Sequence, residues 1–204
     1  MRKVIKSLVS CVTVVAIVTV SARKTYGYNY LGSATAYAFE YAENYNKSYP
    51  SFPHGDCTNF VSQAVKAGGI SMVDSNPGGV AEDKPDAWYI KYVDGTWRYS
   101  KSWTVVNNLK KFFKNKKYAT VKTFSQQNWE LIYQIVEPGD VLQLDGKHSV
   151  MITEIGNRTY KSVKYCGHTS DVQNKSIQEF TKYANGYMDK DIVIIHFSIC
   201  SEPR

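Results

Sequence analysis

The sequence predicts an α+β fold in which helices come first and an antiparallel sheet follows, and three observations carry that reading. Apolar residues recur at intervals of three and four in the segments before residue 137, the period of an amphipathic helix. After Glu137-Pro138-Gly139-Asp140 the pattern turns to short apolar runs rich in Val, Ile and Leu. Asp145-Gly146-Lys147 and Gly156-Asn157-Arg158 then separate successive runs with turn-forming residues, which implies an antiparallel meander.

Residues 1–27 read as a signal peptide. Arg2, Lys3 and Lys6 make a basic start, an apolar run covers 8–22, and small residues suit cleavage after Ala22 or Gly27. The run is short for a membrane span. Secretion to the exterior or the cell wall is therefore expected, with no stable membrane association after cleavage; an uncleaved anchor is the alternative. Residues 28–204 then form one domain, long enough to bury a real core, and a monomer is expected. The formal charge of +7 falls to +4 when residues 1–22 are removed and to +2 when 1–27 are removed. So mild a charge suits weak attraction to an anionic wall and falls short of a nucleic-acid-binding footprint. Cys57, Cys166 and Cys200 remain, an odd number, so at least one thiol is free. Cys166 and Cys200 either form a disulfide, as an oxidising exterior permits, or stay as buried thiols on neighbouring strands.

Ala34, Ala38, Tyr41 and Tyr45 mark one face of a helix over 33–46, which Tyr49-Pro50 and Phe52-Pro53 end. The second helix spans Cys57–Ala67, with Phe60, Val61, Ala64 and Val65 inward, Asp56 as N-cap and Gly68-Gly69 as the stop. Residues 70–102 carry Pro77-Gly78-Gly79, Lys84-Pro85-Asp86, Trp88 and Trp97, with Trp103 just after, and show little periodicity. A long irregular excursion of this kind is expected to be a lid or groove wall. Helices follow over 104–114, with Val105, Leu109, Phe112 and Phe113 inward, and over 126–136. Strands are expected over 141–144, 148–155, 160–166 and 192–199.

The residues that carry chemistry begin with Cys57. At a helix start, unpaired N–H groups and the positive end of the dipole stabilise a thiolate and can hold an oxyanion. The plainer role for a helical cysteine is a small buried hydrophobe, and the Asp56 carboxylate opposes a thiolate unless its oxygens cap Thr58 or Asn59. His148 starts an apolar strand at a sheet rim, where it can reach a thiol on a packed helix end; a core histidine is the plain alternative. A third group should orient the imidazole. His168 and Asp171 are the candidates, one strand later. A turn near residue 157 brings residue 166 level with His148, which favours His168, while Asp171 is chemically the stronger partner. His54 is read as part of the rim before Cys57, and His196 as a satisfied edge or core histidine. Zinc ligation by Cys57, His148, Cys166 and His168 lacks the close ligand pairs of structural sites, so no metal and no cofactor is expected.

Gly55-Asp56-Cys57-Thr58-Asn59-Phe60-Val61-Ser62-Gln63, with Ala67-Gly68-Gly69 downstream, resembles the signature of the putative amidase domain family, a bacterial branch related to NlpC-type and CHAP-type papain-like cysteine hydrolases. The likeness continues at Ser102-Trp103, Pro138-Gly139-Asp140-Val141, His148-Ser149-Val150-Met151-Ile152-Thr153 and His168-Thr169-Ser170-Asp171, covering about residues 30–197. It implies a papain-like fold, with Cys57 as nucleophile, His148 as general base and His168 in the third position. Asp56, Thr58 and Asn59 would support the nucleophile, and Trp88, Trp97, Trp103 and His54 would wall the groove. The function expected is hydrolysis of an amide in bacterial peptidoglycan, at the lactyl–L-Ala bond or within the stem or cross-bridge peptide. A wall-binding module without turnover and a thioester-forming acyltransferase are the alternatives.

Overall fold

A computed structural model of the protein describes residues 32–74 and 79–198. In chain order it contains helix α1 (32–41), α2 (Cys57–Ala67), hairpin strands β1 (Ile90–Val93) and β2 (Thr96–Tyr99), helices α3 (Lys101–Thr104) and α4 (Val106–Lys114), and strand β3 (Ala119–Phe124). Then come α5 (Trp129–Ile135), β4 (Val141–Leu144), β5 (His148–Glu154), β6 (Lys164–Gly167), β7 (Val172–Ser176), α6 (Ile177–Ala184) and β8 (Ile192–Phe197). The large sheet is antiparallel throughout and runs β3-β8-β4-β5-β6-β7. The expected α+β arrangement of helices and antiparallel sheet is what forms.

Strands β4, β5 and β8 are apolar on both faces because helices cover both faces. Val141, Met151, Cys166, Val193 and Ile195 pack under α1, α2 and α4, against Ala38, Phe60, Val61, Leu109 and Phe112. Leu142, Leu144, Val150, Ile152, Ile192 and Ile194 pack against Ile132 of α5 and Phe180 of α6. Each such side chain contributes about 1.5–3 kcal/mol by leaving water. The alternation along β5 therefore sorts its residues. Met151 faces α2, while Val150 and Ile152 face α6.

Several elements differ from expectation. The 70–102 excursion contains the β1–β2 hairpin, whose Asp94-Gly95 turn has both residues left-handed, at φ 50° and 77°; Asp-Gly between aromatic and β-branched residues is the hairpin signal that marks it. Trp88 and Trp103 are fully buried, their ring centroids 4.8 Å apart, so they pack the core and do not line a groove. Trp97 is half-buried on β2 against Tyr92. The helix expected over 104–114 is broken at Val105, whose backbone is extended, and Val105 consequently faces solvent. Residues 126–136 divide into a 3-10 turn, Gln126–Asn128, and α5. Strand β3 forms in the helix-rich half and pairs with β8 along its whole length.

Between β5 and β6 the register is Met151↔Cys166 and Ile152↔Tyr165, with a bulge before Glu154. This differs by three residues from a turn centred at 157, because residues 159–162 form a turn of their own and the strand does not start until Lys164. An odd slip changes the face on which every side chain lies. His168 continues the alternation of Cys166 toward α2, whereas His148 continues that of Val150 and Ile152 toward α6. The apolar run 8–22, the expected cleavage points and Cys200 lie outside the described residues. Cys166 itself is buried, and its sulfur accepts the Asn174 N–H at 3.3 Å.

Candidate active site

Helix α2 lies across β5 and β6 with its N-terminus at the rim where β5 begins. Its signature residues each reach a different neighbour. Asp56 Oδ1 accepts the Phe52 N–H and the Asn59 amide, both at 2.9 Å. Asn59 also donates to the Pro50 carbonyl and accepts the Trp103 indole N–H at 2.8 Å. Ser62 donates to the Trp103 carbonyl and accepts the Trp88 indole N–H, and Gln63 accepts the Tyr37 hydroxyl. Thr58 Oγ1 lies 3.3 Å from Ser149 Oγ, which accepts from the Gln143 amide at 3.0 Å. The motif is a set of anchors that fixes one helix end against the 50–52 turn, α3, β4 and β5.

Cys57 is the exception. Its Sγ has only Thr58 Oγ1 at 3.8 Å among the described residues, and the residue is 6% exposed. The expected Asp56 cap does not form: Asp56 has helical backbone angles and makes no side-chain cap bond, because its oxygens are taken by Phe52, Asn59 and His168. The backbone N–H groups of Cys57, Thr58 and Asn59 consequently find no partner among the described residues. A thiol thus stands among free N–H donors at the positive end of a helix, an arrangement suited to holding negative charge.

His148 opens β5 and is 8% exposed. Its ring stacks on Phe180 at 6.2 Å and meets Tyr183 edge-on at 5.4 Å, and no hydrogen bond to it forms among the described residues. Burial pushes its pKa down to about 4, so the ring is a neutral imidazole with a free lone pair at ordinary pH. Although His148 and α2 start from opposite faces, they meet at the rim. Thr58, next to Cys57, touches Ser149, next to His148, and Tyr183, which abuts His148, also feels the charge of Cys57. Burial, then Tyr187, then Cys57 raise the Tyr183 phenol above its ordinary value. No hydrogen bond joins thiol and imidazole.

The two orienting candidates go elsewhere. His168 Nδ1 lies 2.5 Å from Asp56 Oδ2, and its Nε2–H donates to the Tyr41 carbonyl at 2.7 Å, so neither nitrogen is left for His148. Asp171 accepts the Tyr45 hydroxyl at 2.9 Å. The register explains both: His168 lies on the α2 side of the sheet, across from the His148 ring. His196 is held by Asp140, Nδ1 to Oδ1 at 2.9 Å, and that hydrogen bond raises its pKa, as suits a structural pair.

A cavity of about 330 Å³ opens just before Cys57 in the chain, lined by Phe52, Pro53, His54, Gly55, Ala81, Tyr99 and Thr104. His54 lines this cavity, and its aromatic residues are Phe52 and Tyr99 rather than the tryptophans. Ser149, Gln143, Tyr45 and Tyr183 were not singled out from sequence; only strand alternation beside His148 hints at Ser149, and nothing local marks the others.

The family described as "Putative amidase domain" matches residues 27–194. Protein YhbB of Bacillus subtilis (strain 168), itself uncharacterised, is 31% identical over 122 residues, which is 60% of this chain and 34% of that protein. The chain spans about a third of the length of that relative. No solved structure matches. With the family match covering most of the chain, and with the signature cysteine standing free at a helix start, the chain belongs to the putative amidase domain family.

Proposed function

We propose that the protein is a secreted cysteine-dependent amide hydrolase of papain-like type that acts on bacterial peptidoglycan. The observation that carries this reading is Cys57: the polar side chains around it in the signature are spent on anchoring the helix, while the thiol stands at the helix start with N–H groups that find no partner among the described residues, on the rim where the Thr58–Ser149 contact brings α2 to the strand that His148 opens. The family description supports amide chemistry, and the basic, apolar start of the sequence supports export.

As the Cys57 sulfur attacks the amide carbonyl, its proton passes to His148, and the N–H groups at the start of α2 receive the oxyanion. The C–N bond then breaks, with the imidazolium returning its proton to the departing amine. Water adds to the thioester, losing a proton to His148; the C–S bond breaks and the thiol is restored. The cavity beside Gly55 takes the substrate segment that flanks the scissile bond. Purified cell wall incubated with the reduced protein should release fragments with new amino termini or free stem peptides, read by mass spectrometry, and prior alkylation of the protein should prevent it. Release of no fragments, or equal release by alkylated protein, would contradict the peptidoglycan hydrolase reading.

A further inference from the structure

His168 and Asp56 are 112 residues apart in sequence and nearly inaccessible, with side chains 1% and 3% exposed. Their hydrogen-bond partners dictate where protons sit. A carbonyl only accepts, so His168 Nε2, 2.7 Å from the Tyr41 carbonyl, carries a hydrogen. Asp56 Oδ1 already accepts two donors, so the 2.5 Å contact between Oδ2 and Nδ1 needs one further proton, wherever between them it rests. The pair therefore holds one proton more than a free carboxylate beside a neutral imidazole, and its net charge is zero.

The surroundings favour that state. Tyr41 ends α1, so the ring donates to the negative end of a helix. The rings of Tyr45 and Phe60 enclose the imidazole at centroid distances of 4.1 and 4.2 Å. The titratable groups facing the pair are Tyr45, Asp171 beyond it and Cys57 beside Asp56; Tyr45, pushed up to about 12 mainly by burial, is a neutral phenol that donates to Asp171. The β6–β7 turn that delivers His168 holds Thr169 at φ 80° and Asp171 at φ 45°. A β-branched residue there is costly and persists only where neighbouring contacts impose it.

We infer that His168 is a positioning residue for the nucleophile: acting through Asp56, it neutralises the carboxylate next to Cys57 and locks the start of α2 to the end of α1 and to β6. A lone buried carboxylate at this place would oppose the thiolate and sit unpaired in a dry site. This deepens the hydrolase reading in that Cys57 is the reacting thiol, yet its test needs no substrate.

The test is the rate of Cys57 alkylation by iodoacetamide from pH 5 to 9, followed by peptide mapping, in the wild type, His168→Gln and the double variant Asp56→Asn/His168→Gln. His168→Gln should slow alkylation at pH 7 by about tenfold or more and move its pH midpoint upward, because the Asp56 charge is uncovered. The double variant should return to within about threefold of the wild type, since the charge is gone. An unchanged rate in His168→Gln, a faster one from loosened packing, or a double variant as slow as the single would overturn the inference. Should His168→Gln fail to fold, a double variant that folds supports the same claim, and one that also fails overturns it. Loss of this pattern with wall hydrolysis intact would leave the hydrolase reading standing, and the pattern without hydrolysis would leave the charge pairing standing.

Discussion

Cys57→Ala is expected to lower amide hydrolysis at least about 10⁴-fold while changing stability by no more than about 1 kcal/mol. The two halves of this expectation come from one observation. Cys57 is buried at the helix start, yet among the described residues its sulfur has only Thr58 Oγ1, at 3.8 Å, as a polar contact. Removing it leaves the anchors of Asp56, Thr58, Asn59, Ser62 and Gln63 intact. Paired measurements of turnover and urea unfolding check both halves. A large loss of stability would make Cys57 a packing residue, and retained hydrolysis would remove it from the chemistry.

His148→Gln is expected to cost about 10²–10⁴ in kcat/KM, the range of a lost general base. The pH profile distinguishes this from a packing defect. With burial holding His148 near 4, the acid limb of the wild-type kcat/KM should fall around pH 4, well below the ordinary histidine range. An acid limb near 6.5 would contradict the buried neutral imidazole. The same burial sets a stability effect of definite sign. The unfolded chain binds a proton at this histidine below about 6.5 and the folded protein only below about 4, so stability is full above 6.5 and is lost as pH falls toward 4. The loss from this residue is about 2–3 kcal/mol between pH 7 and 4.5. Urea unfolding of His148→Gln at the two pH values should lack that part.

The place of Cys57 at a helix start was legible because its signals are local. Helical spacing from Phe60 to Val65, the Gly68-Gly69 stop and the turn before Asp56 place Cys57 at a helix start, where α2 begins. The partner of His168 was not legible, because it depends on a register. The turn at 159–162 moves the β5–β6 pairing by three residues, and an odd shift sends the ring to the face of α2 instead of the face of His148. The tryptophans misled for a different reason. A segment with little periodicity and many aromatic residues reads as a groove wall, but Trp88 and Trp103 each have an indole N–H satisfied by α2, at Ser62 and Asn59, which lets the rings be buried whole. Helix α6 spans only eight residues, yet Ile177, Phe180 and Ala184 carry a helical stripe, and Ser176 with Glu179 has the spacing of a capping box even though no such cap bond forms. It supplies Tyr183 to the rim by His148.

The most direct test of Cys57 as the attacking atom is to quench the protein in acid during digestion of purified peptidoglycan fragments and map adducts by mass spectrometry. The predicted result is an acyl group on Cys57, with the mass of a wall fragment, that disappears on treatment with hydroxylamine and is absent in Cys57→Ala. Hydrolysis that proceeds in Cys57→Ala, or an acyl group carried by another residue, would contradict it.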